Sequence, residues 1–146
     1  MRIKKTSQYI EGGAGLPSYF TDEIDTGMKW VDGKPIYRKV IVANLDGTYS
    51  ESGQRFTFIN NALGGAGTVD NMIRLDATYI KDGGDRIFNL LNTAISGVSG
   101  LSGTITYRLT SNNNPVDMFQ IAVPTSVTTA MNPVATIITE YTKQSD

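Results

Sequence analysis

Short segments in which apolar and polar residues alternate constrain this chain more than any other feature of its sequence. The clearest is the segment 73–79, and its apolar positions are Ile73, Leu75, Ala77 and Tyr79. Residues 105–109 and 137–141 repeat the same alternation. A two-residue period is typical of a β-strand that buries one face. We therefore expect three well-defined strands in the second half of the chain.

Four weaker segments also favour strands, because β-branched and aromatic residues dominate them. They are residues 36–43, 55–59, 86–91 and 118–123. The segment 85–92 also fits a short helix, since Ile87, Leu90 and Leu91 have helical spacing, whereas Asn89 and the flanking glycines oppose it. Between the segments lie clusters rich in Asp-Gly, Gly-Gly and Asn, which permit the backbone torsions of tight hairpins. The pattern predicts an all-β fold, an antiparallel β-sandwich or jelly roll.

The 146 residues are enough for one domain. Residues 1–30 are polar and rich in glycine, which predicts an irregular N-terminal arm and lead-in, and residues 31–146 are expected to form the single sandwich domain. The basic N-terminus is followed by no apolar run, and the longest apolar stretches are far shorter than the roughly 20 residues that span a bilayer. We expect neither an export signal nor membrane insertion.

Composition removes many chemical functions. The chain has 13 basic and 14 acidic residues, and it contains no histidine and no cysteine. A net charge near zero provides no positive potential to attract nucleic acid. The absence of histidine and cysteine excludes most hydrolytic triads and metal sites with thiolate ligands. Asp82 and Asp85 leave calcium as a minor alternative to an ordinary turn. We expect no catalytic residues, no metal and no cofactor.

Aromatic residues cluster in the first third of the chain: Tyr9, Tyr19, Phe20, Trp30, Tyr37 and Tyr49. Such rings either stack on sugars or pack in a core or a subunit contact. Around two of them the sequence predicts a hairpin, because Asp32-Gly33 is a turn signal, Pro35 fixes the backbone and Ile36 begins a strand. We expect Trp30 and Tyr37 to pack together beside this turn, with Trp30 capping the core. The other rings stay open candidates for binding.

Residues 21–42, TDEIDTGMKWVDGKPIYRKVIV, resemble a recurrent segment of bacteriophage tail-fibre, baseplate and head-fibre proteins. The matching positions are Thr21, Asp22, Glu23, Trp30, Asp32, Gly33, Lys34, Pro35, Ile36, Tyr37, Arg38 and Lys39. The C-terminal residues 137–146, IITEYTKQSD, are similar to the terminus of such proteins. The positions from Trp30 to Tyr37 are expected to serve structure.

The resemblance implies a virion structural protein, a self-assembling fibre or decoration module made in the host cytoplasm. A homotrimer that contacts other virion proteins, with residues 1–17 as the attachment arm, is the expectation. The alternative is a module that recognises host-surface carbohydrate through the loops 60–67, 82–86 and 111–115, because loops on a rigid β scaffold commonly carry binding sites. An enzyme that uses paired carboxylates on glycans is disfavoured.

Overall fold

The computed structural model of the protein describes residues 19–82, 87–92 and 103–146. Its strands, in chain order, are β1 Ile24–Lys29, β2 Pro35–Asn44, β3 Tyr49–Glu51, β4 Gln54–Asn60, β5 Val69–Ile80, β6 Ile87–Asn92, β7 Thr104–Ser111, β8 Asn114–Pro124 and β9 Val134–Lys143. A short 3₁₀ turn, Thr129–Met131, precedes β9. The predicted all-β sandwich is confirmed.

The strands form two sheets that share β6. Sheet one has the order β1-β2-β9-β5-β6, and sheet two has the order β6-β7-β8-β4-β3. All neighbours are antiparallel except β6 and β7, where Leu91 and Asn92 pair in parallel with Thr104 and Ile105. A parallel neighbour requires a crossover connection, and residues 93–103 separate these two strands in sequence. This short parallel contact is the departure from a purely antiparallel sandwich.

Alternate residues of both sheets point inward and form one core. Register places Ala77 of β5 beside Ile137 of β9 in sheet one, and Ile105 of β7 beside Ile121 of β8 in sheet two. The buried cluster comprises Leu45, Leu63, Val69, Leu75, Ala77, Tyr79, Leu90, Ile105, Phe119, Ile121, Val123, Val127, Ala135, Ile137 and Tyr141. Leu45, Leu63 and Val127 come from loops, and the other members come from the inner faces of the two sheets, so the outer face of each sheet does not contribute to this core.

Six of the seven segments predicted as strands lie within strands, and the seventh, 86–91, does so from Ile87 onward, since Arg86 is outside the described residues. The segment that also fitted a helix is the strand β6, described from Ile87 onward. The inward positions Leu75, Ala77 and Tyr79 are buried as the alternation predicts. Ile73 is only partly buried, because the register of β5 against β9 shifts between Met72 and Arg74 and leaves Ile73 as the extra residue.

The sequence did not predict β1 and β3. Strand β1 lies within residues 1–30, the stretch that sequence analysis assigned to the lead-in, and pairs with β2 at the edge of sheet one. Its sequence, IDTGMK, lacks the alternation of a half-buried strand, and Gly27 adopts a positive φ of 80° where the register shifts. Residues 1–18 of the predicted N-terminal arm and lead-in lie outside the described residues. Among the described residues, no helix is long and apolar enough to cross a membrane.

Candidate functional site

The two segments that carry the family resemblance are neighbours in sheet one. Strands β2 and β9 pair antiparallel, with Tyr37 opposite Tyr141 and Arg38 opposite Glu140. Arg38 Nε donates a hydrogen bond to Glu140 Oε2 at 2.8 Å, and both side chains are about nine-tenths buried. Segments separated by a hundred residues in the chain therefore form one continuous part of the sheet.

The turn between β1 and β2 has the hairpin geometry that the motif predicts. Gly33 N–H donates to the Trp30 carbonyl at 2.9 Å, and Trp30 N–H donates to the Lys34 carbonyl at 2.9 Å. The Asp32 carboxylate accepts from Lys34 N–H at 3.0 Å, and Gly33 adopts a positive φ of 87°. This is the three-residue hairpin in which glycine takes the left-handed position.

Polar contacts hold this hairpin against the C-terminal strand. Lys34 Nζ lies 2.7 Å from Asp70 Oδ2 and donates to the Lys143 carbonyl at 3.2 Å. Tyr37 Oη donates to Asp146 Oδ2 at 2.8 Å, and this bond raises the pKa of Tyr37 to about 12. The motif residues Lys34 and Tyr37 therefore fix the hairpin to β5, β9 and the chain end.

The expected packing of Trp30 is wrong. Trp30 is 37% exposed and lies outside the buried cluster, so it does not cap the core. Tyr37 instead packs on Tyr141, with ring centroids 6.2 Å apart, because β2 and β9 place the two residues directly opposite each other. Trp30 lies at the end of the hairpin, where its backbone faces Lys34, and the turn signal in the sequence did not show that this position is outside the core.

A buried carboxylate, Asp117 of β8, holds the loop 60–67, which is one of the predicted carbohydrate-binding loops. Asp117 Oδ2 accepts from the N–H groups of Leu63 and Gly65 at 2.7 and 2.9 Å, and Asp117 Oδ1 accepts from Tyr107 Oη at 2.7 Å. Burial, together with this hydrogen bond, raises the pKa of Tyr107 well above its usual range. Asp117 could not be predicted as an anchor, because a single aspartate on a strand has no motif around it.

Of the other two predicted loops, the structure describes all of 111–115 but only one residue of 82–86. Residues 112 and 113 form the two-residue turn between β7 and β8, with φ values of 50° and 65° at Asn112 and Asn113. This is a tight hairpin turn that asparagine favours. In the loop 82–86 only Asp82 belongs to the described residues, so the calcium alternative at Asp82 and Asp85 lies outside them. Among the described residues, no group of three or more acidic side chains is placed to hold a metal ion.

The outer face of sheet one carries a patch of β-branched side chains, which we call the aliphatic face. It is formed by outward residues of β2, β9, β5 and β6: Val40, Val42, Val134, Thr136, Ile138, Thr78, Ile80 and Ile87. Ile87 is 72% exposed, Val42 57% and Ile80 38%. One end of the face is bordered by alternating charges, in which Glu140 lies between Arg38 and Arg74.

The outer face of sheet two is different, because it carries aromatic rings set among polar groups. Tyr49 of β3 lies opposite Phe56 of β4, and Phe58 of β4 lies opposite Gln120 of β8. These residues, with Arg108 of β7, line a shallow groove of about 550 Å³, which we call the aromatic groove. Of the aromatic candidates from the first third of the chain, Tyr49 is the one that the structure places in this groove.

The remaining aromatic candidates lie elsewhere. Tyr9 is outside the described residues, while Tyr19 and Phe20 lie beside β2, where the Tyr19 ring is 5.0 Å from the Arg38 guanidinium. The Phe20 carbonyl accepts a hydrogen bond from Val40 N–H at 2.9 Å. Phe56 and Phe58 were predicted only as strand residues, because the sequence of one strand does not show which of its faces a second sheet covers.

The chain matches no model of a known protein family, no curated protein and no solved structure.

Proposed function

We propose that the protein is a structural module of a bacteriophage particle, a β-sandwich that assembles as a homotrimer and contacts other virion proteins. The resemblance of residues 21–42 and 137–146 to phage fibre and baseplate segments motivates the class of protein. The observation that carries the proposal is the aliphatic face, a broad outer surface of β-branched side chains on a small domain.

The composition of the aliphatic face favours a protein partner over a small ligand. Val, Ile and Thr side chains are stiff at χ1 and give a low, even surface, which suits packing against another sheet and encloses no pocket. Contiguous exposed apolar patches on soluble domains commonly mark association sites. Ile87 and Val42, 72% and 57% exposed, would lose water contact on association.

The charges beside the aliphatic face favour a second copy of the same chain as the partner. Arg38 and Glu140 pair within the chain, and Arg74 contacts both Glu140 and Asp76, at 3.6 and 2.7 Å. This border has no net charge, so like copies meet without repulsion. A closed three-fold ring repeats one contact between each pair of neighbouring copies, and two different parts of each copy's surface meet at that contact. In this proposal residues 1–17 provide attachment to the particle.

Particle composition tests the function directly. We expect mass spectrometry of density-purified particles of the encoding phage to detect this chain in many copies per particle. A matched sample of the soluble lysate fraction shows whether it is enriched. Finding the chain only in the soluble fraction, and absent from intact particles, contradicts the proposal.

A further inference from the structure

We propose that the aromatic groove on sheet two binds an acidic oligosaccharide, with Tyr49 and Phe58 stacking against sugar rings and Arg108 pairing with a sugar carboxylate. This site goes beyond the proposed structural function, because it lies on the sheet opposite the aliphatic face. It also differs from the loops 60–67 and 111–115, which the sequence favoured for carbohydrate recognition.

The strand register arranges the groove as successive rows across sheet two. Glu51 lies opposite Gln54 at one end, and Tyr49 lies opposite Phe56 in the next row. Phe58 lies opposite Gln120 in the third row, and Arg108 lies beside Met118 in the row beyond it. Rows on one face of a strand are about 7 Å apart, so the groove runs diagonally from the Glu51 corner to the Arg108 corner.

The three rings at its centre form a continuous platform. The Tyr49 and Phe56 centroids are 5.5 Å apart, and the Phe56 and Phe58 rings stack at 6.4 Å with an angle of 14° between their planes. Tyr49 is 52% exposed and Phe58 44%, so both leave ring surface open to solvent. The apolar C–H face of a pyranose packs on such a ring, while its hydroxyls stay at the edge.

The polar residues of the groove supply partners for those hydroxyls. Gln120 and Gln54 present amides that both donate and accept hydrogen bonds, which suits a ligand covered with hydroxyl groups. The Tyr49 hydroxyl donates to the Glu51 carboxylate, and this contact orients the Tyr49 ring before a ligand arrives. A volume of about 550 Å³ falls within the range of sites for small ligands.

Charge in the groove favours an acidic sugar. Among the residues that the structure describes, Arg108 has no ion-pair partner, and it is exposed at its end of the groove. A guanidinium pairs with a carboxylate through two parallel hydrogen bonds. Glu51 is at the opposite corner, several rows away, so its charge opposes a carboxylate there and directs the acid group of the ligand toward Arg108.

The first experiment is a glycan array of acidic and neutral oligosaccharides, followed by titration calorimetry with the best acidic glycan and its neutral counterpart. We expect the acidic glycan to bind more tightly, and its affinity to fall as salt is raised. Phe58→Ala and Tyr49→Ala should each weaken binding by about fivefold or more. Arg108→Gln should remove the preference for the acidic glycan and leave the neutral affinity unchanged.

Val31→Ala is the matched control, because it removes an exposed apolar side chain from the turn between β1 and β2, which belongs neither to the aromatic groove nor to the aliphatic face. Binding by this variant should equal that of the unaltered protein. No binding to any glycan on the array, or equal affinity in Phe58→Ala, overturns the proposal. Equal affinity for acidic and neutral glycans overturns the role of Arg108. If an alanine variant fails to fold in a thermal melt, Arg108→Gln decides the outcome, since that side chain lies at the surface. Particle incorporation is measured separately and does not depend on these results.

Discussion

The outer faces of the two sheets show how one sandwich presents two kinds of surface. On sheet one the outward residues of the aliphatic face are β-branched and form an even layer, which charged side chains border at one end. On sheet two the outward residues include Tyr49, Phe56 and Phe58, which stand among amides and Arg108 and leave a groove between them. Both sheets share one core, so the difference arises only from alternate residues that the core does not constrain. The two surfaces of this protein therefore differ mainly in the residues at the outward positions of their strands, and less in their loops.

The largest expected effect comes from placing a charge in the aliphatic face. We expect Ile80→Glu to weaken self-association by about 100-fold, because a carboxylate would be buried at the subunit contact without a partner. Light scattering over a concentration series measures the change. Thr106→Glu, at an outward position on the other sheet, is the matched control and should leave the molar mass unaltered. An Ile80→Glu protein with the original mass would show that this face is not the contact.

The next effect concerns the buried carboxylate of Asp117, which holds the loop 60–67 against sheet two. Asp117→Asn should lower the free energy of unfolding by about 2 kcal/mol, because the buried carboxylate accepts three hydrogen bonds that an amide cannot all replace. Asp76→Asn, on the outer face of sheet one with its side chain 62% exposed, should change it by less than about 0.5 kcal/mol. Urea unfolding of both variants measures the difference. Equal stability losses would mean that Asp117 does not anchor the loop 60–67.

Two inward tyrosines, one on each sheet, give a smaller and more selective test. Tyr107 donates to Asp117, whereas the buried Tyr79 hydroxyl has no hydrogen-bond partner among the described residues. Tyr107→Phe should therefore cost about 1.5 kcal/mol or more, and Tyr79→Phe should be neutral or stabilising. Thermal melts of the two variants at neutral pH provide the comparison. A clear loss of stability in Tyr79→Phe would reveal a partner for its hydroxyl.

The smallest expected effect is a change in stability at high pH. The pKa of Tyr37 is about 12 in the folded protein, above its ordinary value of 10.0, because its hydroxyl donates to Asp146. The contribution of the Tyr37–Asp146 hydrogen bond to the stability of the folded protein is complete below about pH 10. It is lost as the pH rises toward 12 and the Tyr37 hydroxyl ionises. We expect melting temperatures to be nearly constant from about pH 6 to 9, since the chain has no histidine or cysteine to titrate there, and to fall above pH 10.

Tyr37→Phe tests that contribution. This variant should be less stable than the unaltered protein at neutral pH, because it loses the hydrogen bond to Asp146. Its melting temperature should then fall less steeply above pH 10. Identical slopes in the two proteins would contradict the assignment of the high-pH loss to Tyr37.

Much of the fold could be predicted from the sequence, because strands that bury one face leave a two-residue pattern. Residues 73–79 and 137–141 are examples, and the turn at Asp32-Gly33 was readable from its residue types. The edge strands β1 and β3 left no such pattern, since one is mostly exposed and the other has only three residues. The sequence therefore predicts a strand where every second residue is buried, and fails to predict one where few residues are buried.

The candidate sites were less predictable, because both depend on which strands become neighbours. Tyr49, Phe58 and Arg108 come from three strands, and no spacing in the chain links them. The pairing of Arg38 with Glu140 likewise joins positions 102 residues apart. The expectation for Trp30 failed for the same reason, since the sequence showed the turn but not what lies opposite the ring.

The molar mass of the purified protein in solution tests the central claim most directly. Size-exclusion chromatography with light scattering at micromolar concentration should give three times the chain mass of 15.8 kDa. A mass of 15.8 kDa at every concentration would contradict self-association through the aliphatic face, and a stable dimer would contradict the three-fold assembly.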